Sequence, residues 1–226
     1  MRMFFKDSEK AMKKKLLIFD LDGTIADTIY SIRDGVNLAM DKYGFPRKTY
    51  EDIRLAIGNG ARELIRKSMP EEQSRDSLLV DRVFADYDKL YALTYANIDG
   101  CYEGMSEAMH VLKERGYVLA VLSNKQDEYV KKIIDMLFPD GIVSYAAGQT
   151  ELPRKPDPTV PLMIADMFGA RPEECAFIGD SEVDVKTAKN AGMTAVACSW
   201  GYRPREALAD ADFLLGAPCE LADLFE

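Results

Sequence analysis

The sequence predicts an open α/β architecture: a parallel sheet with helices on both faces, interrupted once by an inserted helical subdomain. Short apolar runs recur at residues 16–19, 117–122, 142–146, 175–178 and 194–197, with a sixth, shorter run at 212–215. Helical patterns follow most of them, at 126–137, 159–168 and 182–191, which is the alternation of a parallel sheet. The connection between the first two runs is several times longer than the dozen or so residues a crossover needs.

Taken in order, Leu16-Leu17-Ile18-Phe19 reads as a buried strand running into Asp20-Leu21-Asp22-Gly23-Thr24. The long connection then shows only helical periodicity. Ile29, Ile32, Val36, Met40 and Tyr43 fall on one face, Leu64 and Ile65 mark a second short helix, and Leu79, Val83, Phe84, Tyr87, Leu90 and Tyr91 a longer third. Gly44-Phe45-Pro46 and Gly58-Asn59-Gly60 punctuate them. Met105, Ala108, Met109 and Leu112 form another helical pattern, with His110 near its edge. The expected organisation is an N-terminal extension over 1–14, a core built from 15–26 and 99–226, and a helical insert over 27–98.

Composition narrows the function. The 226 residues are 47% hydrophobic and 30% charged, as in ordinary soluble globular proteins. No apolar run approaches the ~18–20 residues of a membrane span, and the N-terminus lacks a signal-peptide core. The net charge of −9 argues against a nucleic-acid partner, and it obliges the protein to supply local cations to any anionic substrate. Four separated cysteines with no Cys-x-x-Cys pair point to a reduced, cytoplasmic protein without zinc or redox motifs. A single histidine on a helix edge leaves hydrolysis to carboxylates, hydroxyls, lysine or metal. A monomer or a homodimer is expected.

Four segments carry chemistry. Asp20 and Asp22, two apart on extended backbone, can face one crevice beyond a strand's carboxyl end, where open α/β sheets bind ligands. One can attack an electrophile while the other handles protons. Gly23 permits the turn, and the Thr24 hydroxyl can fix the loop. Ser123 ends the second run and can donate to an anion beside the Asn124 backbone N–H, although Ser-Asn before a helix is also an ordinary N-cap pair. Lys155 sits in the stiff loop Pro153-Arg154-Lys155-Pro156-Asp157-Pro158, where a lysine meets a phosphate at little entropic cost, or is simply solvated. Asp180 ends another run in Gly179-Asp180-Ser181, and Asp184 returns to the same side one helical turn later. Clustered with Asp20, these carboxylates repel by several kcal/mol per close pair at an effective dielectric of ~20. Mg²⁺ relieves that and suits an all-oxygen ligand set with an anionic substrate. Helix capping by Asp180 or Ser181 can coexist with this role.

The ordered set Asp20-x-Asp22-Gly23-Thr24, Ser123, Lys155 and Gly179-Asp180-(x)₃-Asp184 resembles the haloacid dehalogenase-like superfamily of phosphatases, from Lys15 to the C-terminus. The resemblance implies a Rossmann-like core with an inserted α-helical cap. It also implies an aspartyl-phosphate on Asp20 and acid–base work by Asp22. Phosphate oxygens would be held by Ser123, Asn124 and Lys155, and Mg²⁺ by Asp20, Asp180, Asp184 and the Asp22 backbone carbonyl. The run 56–64, Ala-Ile-Gly-Asn-Gly-Ala-Arg-Glu-Leu, is similar to the cap loop of phosphoglycolate phosphatases, and relatives acting on pyrophosphate or 5′-nucleotides share much of it. In that cap Gly58, Asn59, Gly60, Arg62 and Arg66 are the expected substrate-selecting residues. Arg62 and Arg66, one turn apart, could read a second anion such as the carboxylate of 2-phosphoglycolate, or could be solvated. Asp22 sets the chain apart from dehalogenases, which lack the second aspartate, and the basic cap signature of sugar-phosphate mutases is missing. A mutase or phosphotransferase, and a binding module without catalysis, are the alternatives to a Mg²⁺-dependent phosphatase of a small phosphoester.

Overall fold

The computed structural model describes residues 14–226, so the extension expected over 1–14 lies, apart from Lys14, outside the described residues. Six strands form one parallel sheet: β1 (Leu16–Phe19), β2 (Val118–Gln126), β3 (Tyr145–Gln149), β4 (Cys175–Gly179), β5 (Thr194–Cys198) and β6 (Phe213–Leu215). Their order is β3-β2-β1-β4-β5-β6. Phe19 is in register with Val121 on one side and Ile178 on the other. The chain therefore leaves β1 in opposite directions, and the crevice of an α/β sheet opens at that switch point. Asp20, Ser123 and Asp180 all lie just beyond it.

The connection after β1 holds α1 (Ile29–Lys42), α2 (Tyr50–Ala56), α3 (Ala61–Ser68) and α4 (Ser77–Tyr91). These helices bury their own apolar faces against one another, through Ile32, Val36, Met40, Ile53, Leu64, Ile65, Val83 and Tyr87. The sequence marks no helix at α2, yet its start carries a reciprocal cap. Asp52 N–H donates to Thr49 Oγ1 at 3.2 Å while Thr49 N–H donates to Asp52 Oδ2 at 2.8 Å. Tyr129 and Tyr202 of the core dock into this cluster.

The core helices are α5 (Met105–Glu114), α6 (Asp127–Leu137), α7 (Thr159–Met167), α8 (Glu182–Asn190) and α9 (Glu220–Leu224). Strand β1 is buried on both faces, which explains its unbroken apolar run. Leu17 and Phe19 pack with Met105, Met109, Leu112, Val130 and Ile133 on one side, and Leu16 and Ile18 with Ile164, Val185 and Ala188 on the other.

The largest departures from the expected boundaries are in β3 and at the end of β2. The run at 142–146 is strand only from Tyr145. Ile142 and Val143 plug the apolar face under α5 and α6 as loop, and pairing starts where Ser144 N–H donates to Leu119 O at 2.7 Å. Strand β2 continues past Leu122 to Gln126, so Ser123, Asn124 and Lys125 are strand residues and α6 starts at Asp127 rather than 126.

Candidate active site

Asp20 follows β1 and is 9% exposed. Its Oδ1 accepts from the Leu21 N–H at 2.7 Å and pairs with Lys155 Nζ at 2.9 Å. Lys155 spans to Asp184 Oδ1 at 2.7 Å. Its loop is held from beneath by Asn124, whose side chain accepts from Lys155 N–H at 2.9 Å and donates to Lys155 O at 3.1 Å. Asn124 also donates to Gly58 O in the helical insert at 3.0 Å. Its side chain thus positions Lys155 against the insert, a task distinct from the phosphate contact expected of its backbone. Ser123 Oγ accepts from Lys125 N–H at 3.2 Å, leaving its own hydrogen for an anion.

Asp180 and Asp184 are carried by β4 and the first turn of α8. Ser181 is the N-cap, and the Asp184 carboxylate returns the bond, accepting from Ser181 N–H at 3.1 Å and from Ser181 Oγ at 2.6 Å. Capping and site geometry are here one arrangement. Asp180 Oδ2 accepts from the Tyr202 N–H at 2.6 Å. Carboxylate oxygens of Asp20, Asp180 and Asp184 lie within 4.8 Å of one another, all buried. Burial pushes the Asp180 carboxyl well above its ordinary range, and Asp184 and Asp20 add to the rise. Burial likewise raises Asp20, Lys155 opposing it and Asp184 and Asp22 adding to it. Burial alone would lower Lys155, but Asp184 and Asp20 leave it above its ordinary value. Three carboxylates against one ammonium leave an excess of negative charge among hard oxygen donors, which fits a divalent cation such as Mg²⁺. Gly23 makes the approach possible: its φ is +85°, and a Cβ there would stand 2.5 Å from Asp180 Oδ2.

Asp22 lies on the other side of the crevice, in a second pair: its Oδ1 accepts from Thr28 Oγ1 and from Lys125 Nζ, the latter at 2.8 Å. Burial would lower Lys125, and Asp22 and Tyr91 more than reverse this. Thr24 does not fix the loop as expected. Its Oγ1 is buried without a hydrogen-bond partner, while its N–H donates to Leu21 O at 3.3 Å and its carbonyl accepts from Trp200 Nε1 at 3.0 Å.

Asp20, Asp22, Ser123, Lys125, Lys155, Asp180 and Asp184 line one cavity of about 650 Å³ that opens to solvent, with Gly58, Gly60, Ala61 and Leu64 of the insert forming its far wall. Asn59, Arg62 and Arg66 are not part of that wall. Arg62 donates to Asp81 at 2.7 Å and Ser77 at 3.0 Å, and Arg66 is bidentate to Glu63 at 2.6 and 2.8 Å. Both arginines are drawn outward by acidic neighbours on the insert's own surface. Sequence reasoning gave no role to Lys125, Tyr202 or Arg203, which do line the cavity. A lysine at the end of a buried strand was one available signal. The position of Tyr202 and Arg203 just beyond β5, at the ligand-binding edge, was the other. Arg203 donates to Arg54 O at 2.5 Å and to Ile57 O at 2.7 Å, and Arg54 donates back to Tyr202 O at 2.6 Å, so the insert is tied down over the crevice.

The family model described as haloacid dehalogenase-like hydrolase matches residues 17–198. The chain belongs to the haloacid dehalogenase-like hydrolases. It is 34% identical over 203 residues to a protein named phosphoglycolate phosphatase from Mannheimia succiniciproducens, covering 87% of this chain and 90% of that one. Identity to phosphoglycolate phosphatase 1 of Pseudomonas aeruginosa is 31% over 200 residues, covering 87% and 73%. A crystal structure of a "predicted phosphoglycolate phosphatase" from Haemophilus somnus superposes with a TM-score of 0.87 at 26% identity, covering 95% of this chain and 99% of that one. The helical insert closes one side of the crevice that Asp20, Asp22, Asp180 and Asp184 line.

Proposed function

We propose that this phosphatase is Mg²⁺-dependent and hydrolyses a small anionic phosphomonoester, 2-phosphoglycolate, through an aspartyl-phosphate on Asp20. The observation that carries the reading is the pairing of two buried charge clusters in one cavity. Asp20, Asp180 and Asp184 with Lys155 stand on one side, Asp22 with Lys125 on the other. Asp20 Oδ attacks phosphorus as the ester P–O bond breaks, and Asp22 gives its proton to the departing alkoxide. A water then attacks the phosphorus of the aspartyl-phosphate, surrendering a proton to Asp22 and freeing phosphate and Asp20. Ser123 and Lys155 hold the non-bridging oxygens as charge redistributes. Asp20, Asp180, Asp184 and the Asp22 carbonyl would hold Mg²⁺, which neutralises charge on the transferring group. The cap excludes water from the cleavage step. The names of the two curated relatives support the substrate, and four unpaired cysteines support a reducing compartment such as the cytoplasm.

The test is a panel of phosphomonoesters, pyrophosphate, 5′-nucleotides and sugar phosphates, assayed with and without Mg²⁺ and with added acceptor alcohols. The reading expects Mg²⁺-dependent release of phosphate with 2-phosphoglycolate preferred. Activity in excess EDTA, or transfer to the acceptor in place of release, would count against it.

A further inference from the structure

Lys125 carries a charge that this chemistry leaves unused. It lies on β2, is only 8% exposed, and faces the catalytic cavity. Its Nζ stands 2.8 Å from Asp22 Oδ1 and 5.1 Å from the centre of the Tyr91 ring. The other two cations that line the cavity, Lys155 and Arg203, are committed. Lys155 bridges Asp20 and Asp184 at the phosphoryl end. Arg203 spends its donors on the cap carbonyls of Arg54 and Ile57 and stands 3.4 Å from Glu182. Arg62 and Arg66 pair with acidic residues outside the cavity. An ammonium has three N–H donors. Asp22 takes one of them and the Tyr91 ring faces the ammonium from the protein side, which leaves a donor free for a ligand.

We infer that Lys125 is the specificity-determining cation of this site, its free donor receiving a carboxylate carried by the leaving group. The inference rests on the phosphatase reading above and extends it to the alcohol half of the substrate. Asp22 has to reach the ester oxygen to protonate it. In an ester such as 2-phosphoglycolate the carboxyl carbon is two bonds from that oxygen, so a cation beside Asp22 is where the carboxylate arrives. A buried ammonium interacts with an anion far more strongly than a solvated one, and it counters the repulsion of a chain with net charge −9. A neutral tail leaves that donor facing no acceptor, and a cationic tail is repelled.

The experiment measures kcat/KM for 2-phosphoglycolate, ethyl phosphate and O-phosphoethanolamine with Mg²⁺, in the wild type, Lys125→Met and Lys125→Arg. Wild type should rank the esters carboxylate, then neutral, then ammonium. Lys125→Met should lose about ten- to hundred-fold of the preference for phosphoglycolate over ethyl phosphate, the range of one charge-assisted hydrogen bond. Lys125→Arg should keep a preference for the carboxylate. Equal losses on all three esters in Lys125→Met would mean that the residue merely supports Asp22, overturning the anchor while the substrate reading stands. A wild type that treats the three esters within about two-fold of one another would overturn both. Should Lys125→Met fail to fold, the wild-type ranking and Lys125→Arg decide: equal use of the ammonium- and carboxylate-tailed esters overturns the anchor.

Discussion

Gly179→Ala should damage this protein through a contact that the backbone conformation alone does not reveal. Gly179 ends β4 and does not have a positive φ, so alanine there is locally allowed. A Cβ, however, would lie 2.3 Å from both Cβ and Cγ of Asp184, about 1 Å short of an ordinary contact. Asp184 cannot turn aside, because its Cβ belongs to the first turn of α8 and its carboxylate closes the Ser181 cap and meets Lys155 at 2.7 Å. Helix and strand must separate, which costs about 1–3 kcal/mol for overpacking of this kind. For a chain of this size that is a fall in Tm of roughly 2–12 °C. The displaced carboxylate should also raise the Mg²⁺ concentration for half-maximal activity by about ten-fold or more. Gly216→Ala is the control. A Cβ there meets only the tip of the flexible Glu220 side chain, at 3.2 Å, and should stay within about 0.5 kcal/mol of wild type. Thermal melts and Mg²⁺ titrations of both variants check this. A Gly179→Ala protein that melts with wild type and needs no more Mg²⁺ would refute the argument that glycine is there to admit Asp184.

Three further outcomes are expected. Arg203→Met removes the bonds to Arg54 O and Ile57 O and frees the cap, so KM should rise about ten-fold with a smaller change in kcat, read from steady-state kinetics. Arg62→Ala and Arg66→Ala break exposed pairs outside the cavity, and kcat/KM for any ester should stay within about two-fold, with stability within about 1 kcal/mol by chemical denaturation. His110 donates to Ser106 O at 2.7 Å and Asp140 Oδ2 at 2.6 Å, and these bonds raise its pKa. The stability they add is full below the unfolded value near 6.5 and fades as pH rises through the folded pKa. Asp140→Asn should bring the pKa of this single histidine down in an NMR titration.

The elements that position the chemistry are legible in the sequence because the two ends of the motif logic are local. Leu16 to Phe19 is apolar on both faces since both faces are covered, and an acidic loop directly after such a strand has only one place to point. Asp184 returns to Asp180 because both sit about one helical turn. What escaped is set by long-range pairing. Lys125 has no role to read until β2 is seen to run on to Gln126, and its partner Asp22 is 103 residues away in the chain. Arg62 and Arg66 point outward because of Asp81 and Glu63, which periodicity alone cannot arbitrate. Arg203 acquires its task only when β5 brings it under the C-terminal end of α2.

The central claim is that Asp20 is the nucleophile, and trapping tests it most directly. Enzyme turning over its preferred ester with Mg²⁺ is acid-quenched, reduced with borohydride and digested, and the peptide containing residue 20 is weighed. An aspartyl-phosphate on Asp20 reduces to homoserine there, and Asp20→Asn should show neither that product nor more than about a thousandth of wild-type kcat. Homoserine at another aspartate, or full turnover in a verified Asp20→Asn protein that has not deamidated, would contradict the account.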